Sequence, residues 1–361
     1  MKRLELMLVA VCLLVTAALF AVSVSQTQQK AKSEFEHLSE EGVDALRYRM
    51  QTYLQALNGL AAFISASENV SETEFETYAE TLDLDDLLIG IDGVGFIEPV
   101  RSENMDYFLG RTRVYTRSDF AVHPQTEGPD HFIVSRVAPL DRNIGTLGLD
   151  ITFEEMRKET ALRARETGMP QLTPRILLLQ DETRQPGFLL FRPLWKNEFV
   201  PERGGMVRGA FHGWVYAPFV GYRFLAGLSP NQGRSYHISV FDGLVADPDN
   251  LIFDSAEQAG AVNTTAGKQV VSYTITNYGR PWTVVYTSTP VFDAYFPYHA
   301  AIGVLVAGLL LTGMLLFLIR SVRVRGDALT ELAELRARQV DAQEKANRAV
   351  VDNAVIAVFI M

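Results

Sequence analysis

Cysteine is almost absent from this 361-residue sequence, which contains only Cys12, inside an apolar run near the N-terminus. A folded domain elsewhere in the chain therefore has no disulfide and must be stabilised by its hydrophobic core. Histidines are also sparse, and no two of them have the helical spacing that a metal site uses. They are His37, His123, His131, His212, His237 and His299. The sequence predicts neither a metal ion nor any other cofactor.

The common signatures of catalysis are missing as well. There is no P-loop, no G-x-S-x-G and no H-E-x-x-H, and "GVGFIE" lacks the third glycine of a dinucleotide loop. The acidic run "LDLDDLL" lacks the glycine and distal glutamate of an EF-hand, so we interpret it as a solvated helix end. His212, in "GAFHGW", either lines a pocket or is a strand histidine with a satisfied partner. An enzyme is therefore the least supported functional class.

Basic residues are missing from one long stretch of the chain. Residues 51–100 hold ten acidic and no basic side chains, and the whole chain has a net charge of −10. This charge excludes nucleic acid as a partner, because binding to the phosphate backbone requires a positive surface. The acidic stretch would be a poor partner for anionic lipid. One hypothesis is that the acidic stretch forms a docking surface for a protein partner.

Two long apolar runs, residues 6–25 and residues 300–319, contribute to the positive mean hydropathy of +0.06. A twenty-residue helix rises about 30 Å, which matches the hydrocarbon core of a bilayer. The first run could instead be a cleaved signal peptide, and the second a buried core helix. We predict two transmembrane helices, because the first run lacks a sharp cleavage site and the second carries no charge.

Positive charges beside these runs predict the orientation. Lys2 and Arg3 precede the first run, and three arginines between positions 320 and 325 follow the second. By the positive-inside rule both termini are expected in the cytoplasm, and residues 26–299 outside it. The predicted location is an inner or plasma membrane, with the lipid bilayer as a partner.

Helical periodicity follows the first run. Apolar side chains recur every three or four residues between positions 32 and 64, which predicts a long helix continuing from the first span. Its buried side should contain Leu46, Met50, Leu54 or Tyr53, Leu57, Leu60 and Ile64. A second helix should begin at Ser71, because Ser71 and Glu74 have the spacing of a capping box.

A third helix is predicted between Thr152 and Gly168. Thr152 is expected to cap its start, with Glu155 at the capping-box position, and Gly168 to end it in a left-handed conformation. Its buried face is predicted to contain Phe153, Met156, Thr160 and Ala164, and Glu154 is expected to pair with Lys158 on the other face.

Extended runs rich in Val, Ile and Phe occur before and after the third helix. Two precede it, "LLIGIDGVGFIEPV" and "HFIVSRVAPL", and seven follow it before the second apolar run. A short helix near "GYRFLAGL" is expected to separate two sheets. The predicted fold class is α+β, with a long N-terminal helix and two antiparallel-sheet modules between two transmembrane helices.

The segment after the second apolar run has a different pattern. Small and apolar residues between positions 328 and 349 approximate the a and d positions of a coiled coil, which predicts a signalling coiled coil over 320–349 and a homodimer. In "VVDNAVIAVFIM", residues 350–361, we expect a helix end passing into a strand, as at the start of a further, PAS-like domain.

The segment "LDITFEEMRKETALRARETGMPQLTPRILLLQ" resembles the core of the CHASE domain, the sensory module of plant cytokinin receptors and of many bacterial histidine kinases and diguanylate cyclases. Supporting segments are "YLQALNGLAAFISASENVSETEFETY", "SRVAPLDRNIGTLGLDI" and "FRPLW", so the resemblance spans roughly residues 40–285. It implies a long helix followed by two PAS-like modules.

The resemblance divides the chain into six segments, and it places the ligand in the membrane-distal module. They are an anchor at 1–25, a long extracytoplasmic helix at 26–70, a CHASE-like domain at 71–290, a second span at 300–319, the coiled coil at 320–349 and the start of another domain at 350–361.

The resemblance also implies where a ligand would bind. The aspartate that holds adenine in cytokinin receptors corresponds to Arg157, a backbone contact to Leu179, and a contacting threonine to Phe191. Thr173 matches a threonine that is important to those receptors. An arginine cannot accept the hydrogen bonds that the aspartate accepts, but it suits a carboxylate or phosphate.

A pocket containing Arg157 or Arg192 would therefore favour an acidic small molecule. The alternatives are that Arg157 lies on the solvated helix face and that Phe191 is a core residue. We predict a membrane signal-transduction receptor that binds a small ligand and acts on a histidine kinase or diguanylate cyclase output. The alternatives are a sensor that docks a protein partner and an anchored extracytoplasmic enzyme.

Overall fold

The computed structural model describes residues 2–178, 186–200, 205–258 and 268–359. The chain divides into two compact units, of which one combines residues 1–30 with 296–361 and the other comprises residues 31–295. Two helices contribute to the first unit. They are the beginning of α1, which spans Lys2–Ala66, and α9, which spans His299–Phe359.

The first unit contains the two apolar runs, and its apolar side chains are largely exposed. Leu6 is 69% exposed and Phe317 is 71% exposed, whereas a soluble core helix would bury such side chains. Both helices are long and apolar enough to cross a membrane. Between them, Gly308 lies against the Thr16 side chain, and Glu5 forms an ion pair with Arg323.

Within the second unit, α1 presents one continuous buried stripe. The stripe confirms the predicted periodicity and selects Tyr53, which is 2% exposed, over the half-buried Leu54. Its members recur at intervals of three or four residues, which places them on one side of a helix. They are Phe35, Ser39, Val43, Leu46, Met50, Tyr53, Leu57, Leu60 and Ile64.

The remaining helices in the described part of the chain are short. The predicted capping box is present at the start of α2, where Ser71 accepts from the Glu74 amide and Glu74 accepts from the Ser71 amide. The helices are α2 (Glu72–Glu80), α3 (Met105–Tyr115), α4 (Leu140–Asn143), α5 (Glu155–Thr167), α6 (Gly221–Leu225), α7 (Ser255–Gln258) and α8 (Pro290–Ala294).

The first of two antiparallel sheets, termed the distal sheet, has the order β2-β1-β6-β5-β3, and β4 also pairs with β5. The central strands are the most apolar, because both of their faces are covered. The strands are β1 (Val94–Arg101), β2 (Asp130–Ala138), β3 (Gln171–Leu172), β4 (Ile176–Leu177), β5 (Pro186–Val200) and β6 (Gly205–Val220).

The second sheet, termed the proximal sheet, follows the short helix α6 and has the order β8-β7-β10-β9. Its strands are β7 (Tyr236–Asp242), β8 (Leu251–Asp254), β9 (Val270–Asn277) and β10 (Arg280–Ser288). All of its pairings are antiparallel, so the predicted pair of antiparallel sheets separated by a short helix is confirmed.

The helix α1 contacts both sheets. Against the proximal sheet, the Ser39 hydroxyl lies 3.1 Å from the Tyr273 hydroxyl, and Gly42 lies against the ring of Tyr286. Against the distal sheet, the ring of Tyr53 stacks on that of Phe219, with centroids 5.6 Å apart. One helix therefore covers a face of each sheet.

The predicted start of the third helix was wrong. Thr152 does not cap α5, because Asp150 accepts from the Thr152 amide and folds residues 151–153 into a separate 3-10 turn. The helix then begins one turn later, after Glu154, without a side-chain cap. The end is as predicted, since Gly168 adopts a φ of 71°, a left-handed conformation that costs glycine little.

The strand predicted within residues 350–361 is also wrong for the part that the structure describes, because α9 is helical through Phe359. The segment contains no glycine or proline that would end a helix. A strand also needs a neighbouring strand for its backbone hydrogen bonds, whereas a helix forms them internally. The predicted coiled coil over 320–349 remains a prediction.

A buried carboxylate connects the two sheets. Asp242, at the end of β7, accepts two hydrogen bonds of 2.7 Å from the Arg280 guanidinium. It also accepts a hydrogen bond of 2.9 Å from the backbone amide of Arg175, between β3 and β4. Asp242 is 6% exposed, so its removal would leave buried donors without a partner.

We expect Asp242→Ala to lower the free energy of unfolding by about 1.5–3 kcal/mol, the range for hydrogen bonds to charged groups. Asp249→Ala is the matched control, because Asp249 is an exposed aspartate close by in the same module. Denaturation of the purified chain in detergent, followed by tryptophan fluorescence, measures both. Equal effects from the two substitutions would show that Asp242 does not stabilise the contact between the sheets.

Candidate functional site

The helix α5 lies across one face of the distal sheet and positions Arg157. Its buried side contains Arg157, Thr160, Ala161 and Ala164, which follow each other at helical spacing. The Trp214 indole, on β6, donates a hydrogen bond of 2.7 Å to the Ala161 carbonyl and holds the helix against the sheet.

The face predicted for this helix was right for Thr160 and Ala164, which are buried, and wrong for Phe153 and Met156. Phe153 and Met156 are 44% and 43% exposed, whereas Arg157 is 5% exposed. Arg157 does not lie on the solvated face, so that alternative is excluded. Small residues at 161 and 164 let the helix approach the sheet closely, and this approach encloses the arginine at position 157.

Three groups contact the Arg157 guanidinium. It forms an ion pair with Glu154, donates a hydrogen bond of 3.2 Å to the Leu177 carbonyl and lies 5.6 Å from the centre of the Phe153 ring. The predicted pairing of Glu154 with Lys158 was thus wrong, because Glu154 pairs with Arg157. Burial lowers the pKa of the Arg157 guanidinium, and the Glu154 carboxylate opposes this effect.

A buried phenol and a buried ring complete this face, which we call the Arg157 face. Burial raises the pKa of Tyr216, on β6, to about 12, and the Thr146 hydroxyl and Arg157 act in the opposite direction. Phe191, on β5, is fully buried, and its ring centroid lies 6.3 Å from that of Tyr216. A Cβ at Gly95 would overlap the Tyr216 ring, so glycine is needed on β1 at this point.

Phe191 and Thr173 are both core residues by burial. Thr173 is 1% exposed, and its hydroxyl accepts a hydrogen bond of 2.9 Å from the Leu189 amide. The Thr173 amide in turn donates to the Leu189 carbonyl at 3.0 Å, so this residue joins the edge of the sheet to β5. Leu179, the predicted backbone contact, lies outside the described residues.

Arg192 lies on the opposite face of the sheet from Arg157. It follows Phe191 on β5, and successive residues of a strand point to opposite faces. Its Nε donates a hydrogen bond of 3.0 Å to the Asn58 side chain on α1. The structure therefore places Arg157 and Phe191 on the same face of the distal sheet and Arg192 on the other.

Tyr216 and Glu154 belong to the Arg157 face but were not predicted from the sequence as site residues. A signal for Tyr216 was available, because alternation along "GWVYA" puts Tyr216 on the same face as Trp214. Glu154 stands three residues before Arg157, which is a helical pairing distance, but the residue belongs to the turn before the helix.

A charged cleft lies on the α1 side of the distal sheet. It has a volume of about 40 Å³, enough for a few water molecules at roughly 10–15 Å³ each. Glu98 on β1 pairs with Arg111 on α3 at its wall, and His212 on β6 lies with its ring 5.2 Å from that of Phe96. The interpretation of His212 as a pocket residue is thus confirmed.

A second arginine of this cleft, Arg136, binds the segment between α1 and α2. Arg136, on β2, donates to the Val70 carbonyl from Nε at 3.0 Å and from Nη2 at 2.8 Å. Burial lowers the pKa of Arg136. Burial also lowers the pKa of His212, with Glu98 acting against it and Lys196 and Arg111 acting with it.

The family to which this chain belongs follows from the comparison with known protein families. The CHASE domain family matches residues 68–253, more than half of the chain. The chain belongs to the CHASE domain family. The matched residues include both the Arg157 face and the charged cleft, and two candidate membrane-spanning helices flank the domain. The CHASE domain of this chain is a sensory module, so the resemblance drawn from sequence is confirmed.

Solved structures show only a weak likeness to this CHASE protein. One is the ligand-binding domain of the amino acid chemoreceptor PctC of Pseudomonas aeruginosa PAO1 in complex with GABA, at 12% identity and a TM-score of 0.37, over 70% of this chain and 98% of that one. Another is methyl-accepting chemotaxis protein X, at 13% identity and a TM-score of 0.35, with the same coverage. No curated protein sequence matches the chain. These TM-scores are too low to identify a common fold.

The lowered pKa of His212 predicts a pH-dependent stability. Unfolding restores the ordinary imidazole pKa of 6.5, so the unfolded chain binds a proton that the folded chain resists as the pH falls below this value. The contribution of His212 to stability is therefore present above about pH 6.5 and is lost towards lower pH.

We expect His212→Phe, which keeps a ring against Phe96, to reduce the stability lost between about pH 7 and about pH 5. Thermal denaturation across this range measures the effect. His37→Gln provides the control, because the His37 side chain is 67% exposed on α1. An unchanged pH profile in His212→Phe would show that His212 has its ordinary pKa in the folded chain.

Proposed function

We propose that this chain is the sensory part of a membrane receptor and that its CHASE domain binds a small acidic molecule at the Arg157 face. The observation that carries this proposal is the burial of Arg157 between α5 and the distal sheet. Family membership supports the sensory role, and the two apolar helices support the location in a membrane.

The electrostatics of Arg157 support an acidic ligand. A guanidinium has five N–H donors and no acceptor, and its burial is unfavourable unless partners replace water. The partners that contact its nitrogens in the described structure are the Glu154 carboxylate and the Leu177 carbonyl. A carboxylate or phosphate on the ligand would add the two parallel hydrogen bonds that this fork forms best.

The neighbours of Arg157 support a ligand that also has an apolar part. The Phe153 ring lies beside the guanidinium, Tyr216 interacts with it electrostatically, and the Phe191 ring lies next to that of Tyr216. The Tyr216 hydroxyl, protonated up to about pH 12, remains a donor at physiological pH. Thr173 and Leu179 stay in the proposal on the family resemblance, Leu179 as a backbone contact to the ligand.

We propose a route for the signal through β5 and α1. Phe191 faces the ligand side, and Arg192, the next residue, holds Asn58 on α1. The Arg49 side chain of α1 also donates to the Phe224 carbonyl at 2.7 Å and the Ala226 carbonyl at 3.1 Å, beside α6. A ligand can change the position of α1 only through different affinities for two arrangements of these contacts.

The finer parts of the proposal come from the family resemblance and, for the coiled coil and the homodimer, from the a and d pattern of residues 328–349. They are PAS-like architecture of both sheet modules, a homodimer, a coiled coil over 320–349 and a histidine kinase or diguanylate cyclase as the output. The orientation we propose has both termini in the cytoplasm and the CHASE domain outside it, as the positive-inside rule predicts.

A sensor that docks a protein on its acidic stretch has less support. Several of the carboxylates between residues 51 and 100 are engaged within the domain. Asp85 pairs with Arg142 and Asp92 with Arg223, and Glu74 forms the capping box. These pairs lower the negative potential that a basic partner would need.

Ligand binding provides the first test. A panel of small carboxylates, phosphates and their neutral analogues is titrated into the purified chain in lipid nanodiscs, with calorimetry as the readout. We expect an acid to bind and Arg157→Ala to weaken its binding about ten- to a hundredfold, the equivalent of one charged hydrogen-bonding group. Arg157→Lys should retain the charge but lose the two-point contact, and so bind with intermediate affinity.

Arg163→Ala is the matched control for Arg157→Ala, because Arg163 is an exposed arginine on the same helix. Thermal denaturation of each variant separates lost binding from lost folding. Preferential binding of the neutral analogues, or an affinity for the acid that survives Arg157→Ala in a folded protein, would contradict the proposed site.

Labelling of single cysteines tests the orientation. In a Cys12→Ser background, Ser118→Cys and Thr330→Cys each place a thiol at an exposed position, one in the CHASE domain and one on α9. A membrane-impermeant maleimide applied to intact cells should label position 118, and position 330 only after permeabilisation. The reverse pattern would contradict the extracytoplasmic location of the CHASE domain.

A further inference from the structure

Three polar side chains form a chain of hydrogen bonds at one end of the distal sheet. The Ser102 hydroxyl lies 3.0 Å from His131 Nε2. His131 Nδ1 lies 2.7 Å from the Asp150 carboxylate. A hydroxyl, an imidazole and a carboxylate in this order are the groups that activate a serine nucleophile.

The fold brings these three residues together although they are far apart in sequence. Ser102 follows the last residue of β1, and His131 is the second residue of β2, where the pairing sets Val100 opposite His131. Asp150 precedes the 3-10 turn that leads to α5. Its position next to β2 is fixed by the Phe132 amide, which donates to the carboxylate at 3.1 Å.

The carboxylate is held in the ionised form. Burial acts to raise the pKa of Asp150, but hydrogen bonds from Thr126, His131 and Thr152 outweigh it and lower this pKa. An ionised Asp150 accepts a hydrogen bond from the Nδ1–H group of His131. In this tautomer Nε2 carries no proton, and its lone pair faces Ser102. Asp150 is thus a positioning residue for the imidazole.

Ser102 is the exposed member of the group, whereas His131 and Asp150 are buried. Its hydroxyl has a second acceptor, the Gly128 carbonyl at 2.6 Å. Rotation about the Cβ–Oγ bond moves the proton between this carbonyl and His131 Nε2. The Ser102 amide donates to the Pro129 carbonyl at 3.0 Å, which fixes the backbone of the nucleophile beside the same loop.

From this geometry we propose that Ser102, His131 and Asp150 form a serine nucleophile centre that is acylated by small esters and hydrolyses them. Ser102 and His131 are the catalytic residues, because they exchange atoms or protons with the substrate. The proposed activity is separate from ligand binding at the Arg157 face, and either can hold without the other.

The reaction requires no group beyond the ester and water. Ser102 Oγ attacks the carbonyl carbon while His131 Nε2 takes the hydroxyl proton, and the carbonyl π electrons move to the oxygen. Collapse of the intermediate breaks the bond to the alcohol oxygen, which takes the proton from Nε2. Water, deprotonated by His131, then cleaves the acyl-serine to the acid and regenerates Ser102.

The exposure of Ser102 limits the substrate class. A surface hydroxyl is reached by esters with a short acyl group and an accessible carbonyl. Esters are favoured over amides because their alcohol leaving group needs less help from an acid, and the centre offers only one imidazole for proton transfer.

A fluorophosphonate probe and p-nitrophenyl acetate, applied to the full chain in detergent, test the proposal. We expect the probe to label Ser102 in the wild type, and Ser102→Ala to abolish both labelling and ester hydrolysis. His131→Gln should reduce both rates about 10²–10⁴-fold, the usual contribution of a general base. Ser118→Ala is the control that should change nothing, because Ser118 is an exposed serine of the same module that lies outside this hydrogen-bonded group.

The role of Asp150 needs a readout that a folding defect does not produce. Asp150→Asn is expected to abolish most of the labelling in a folded protein, because an amide at this position favours the imidazole tautomer that carries its proton on Nε2, and Asp150→Glu is expected to restore part of it. Thermal denaturation identifies variants that do not fold, and Ser102→Ala provides the check with the smallest perturbation. The proposal would be overturned if Ser102 were not labelled in the folded wild type, or if His131→Gln were labelled at the wild-type rate.

Discussion

The packing of one helix against two sheets is the constraint on which the rest of this structure depends. Each antiparallel sheet has a face that must be covered, and α1 covers both with a single buried stripe from Phe35 to Ile64. Packed interiors resist compression, so a shift of either sheet must be accommodated along the whole stripe. The distal sheet, whose other face carries Arg157, is for this reason coupled to the proximal sheet through α1 as well as through Asp242.

Electrostatic pairing assembles the domain from distant parts of the sequence. The stretch between residues 51 and 100 carries only acidic charge, yet Asp85, Asp92 and Glu98 pair with arginines that follow it in the chain. The Glu98 and Asp92 side chains are 12% and 13% exposed, so these two pairs are partly desolvated, whereas Asp85 is 73% exposed. Water screens exposed pairs strongly, so the two less exposed pairs contribute more to the specific arrangement of loops.

The predictable parts of the fold are those governed by local rules. The stripe of α1, the capping box at Ser71 and the glycine that ends α5 each depend on neighbouring residues, and each is present. The start of α5 depends on a competition between two local caps. Asp150 wins over Thr152 because its carboxylate also accepts hydrogen bonds from β2 and from Thr126, which are distant in sequence. A local sequence pattern cannot predict these long-range hydrogen bonds, which stabilise the cap at Asp150.

The site illustrates the same limit. The buried face of α5 was predicted to contain Phe153, Met156, Thr160 and Ala164, and the two large members are exposed because the helix approaches the sheet through its small residues. Ala161 and Ala164 mark that approach, and Arg157 lies on their side at positions i−4 and i−7. On a helix rich in charged residues, an arginine is predicted to be exposed. The burial of Arg157 can be predicted only if Ala161 and Ala164 are recognised as the residues that contact the sheet. The network of Ser102, His131 and Asp150 gave no signal, because 29 and 19 residues separate its members.

The proposed ligand site and the contact with α1 lie on opposite faces of the distal sheet, and β5 contributes residues to both faces. Phe191 lies in the core beneath α5, and Arg192 contacts Asn58 of α1 on the other side. Because these residues are neighbours on one strand, movement of β5 by a ligand at the Arg157 face would move the partner of Asn58 by a similar distance. The pairing of β5 with β6 is regular at Phe191 and Arg192, and its register shifts only beyond them, between Leu194 and Asn197. In the proposed route, the signal therefore crosses the sheet when β5 is displaced at these two residues, which changes the contact of Arg192 with Asn58.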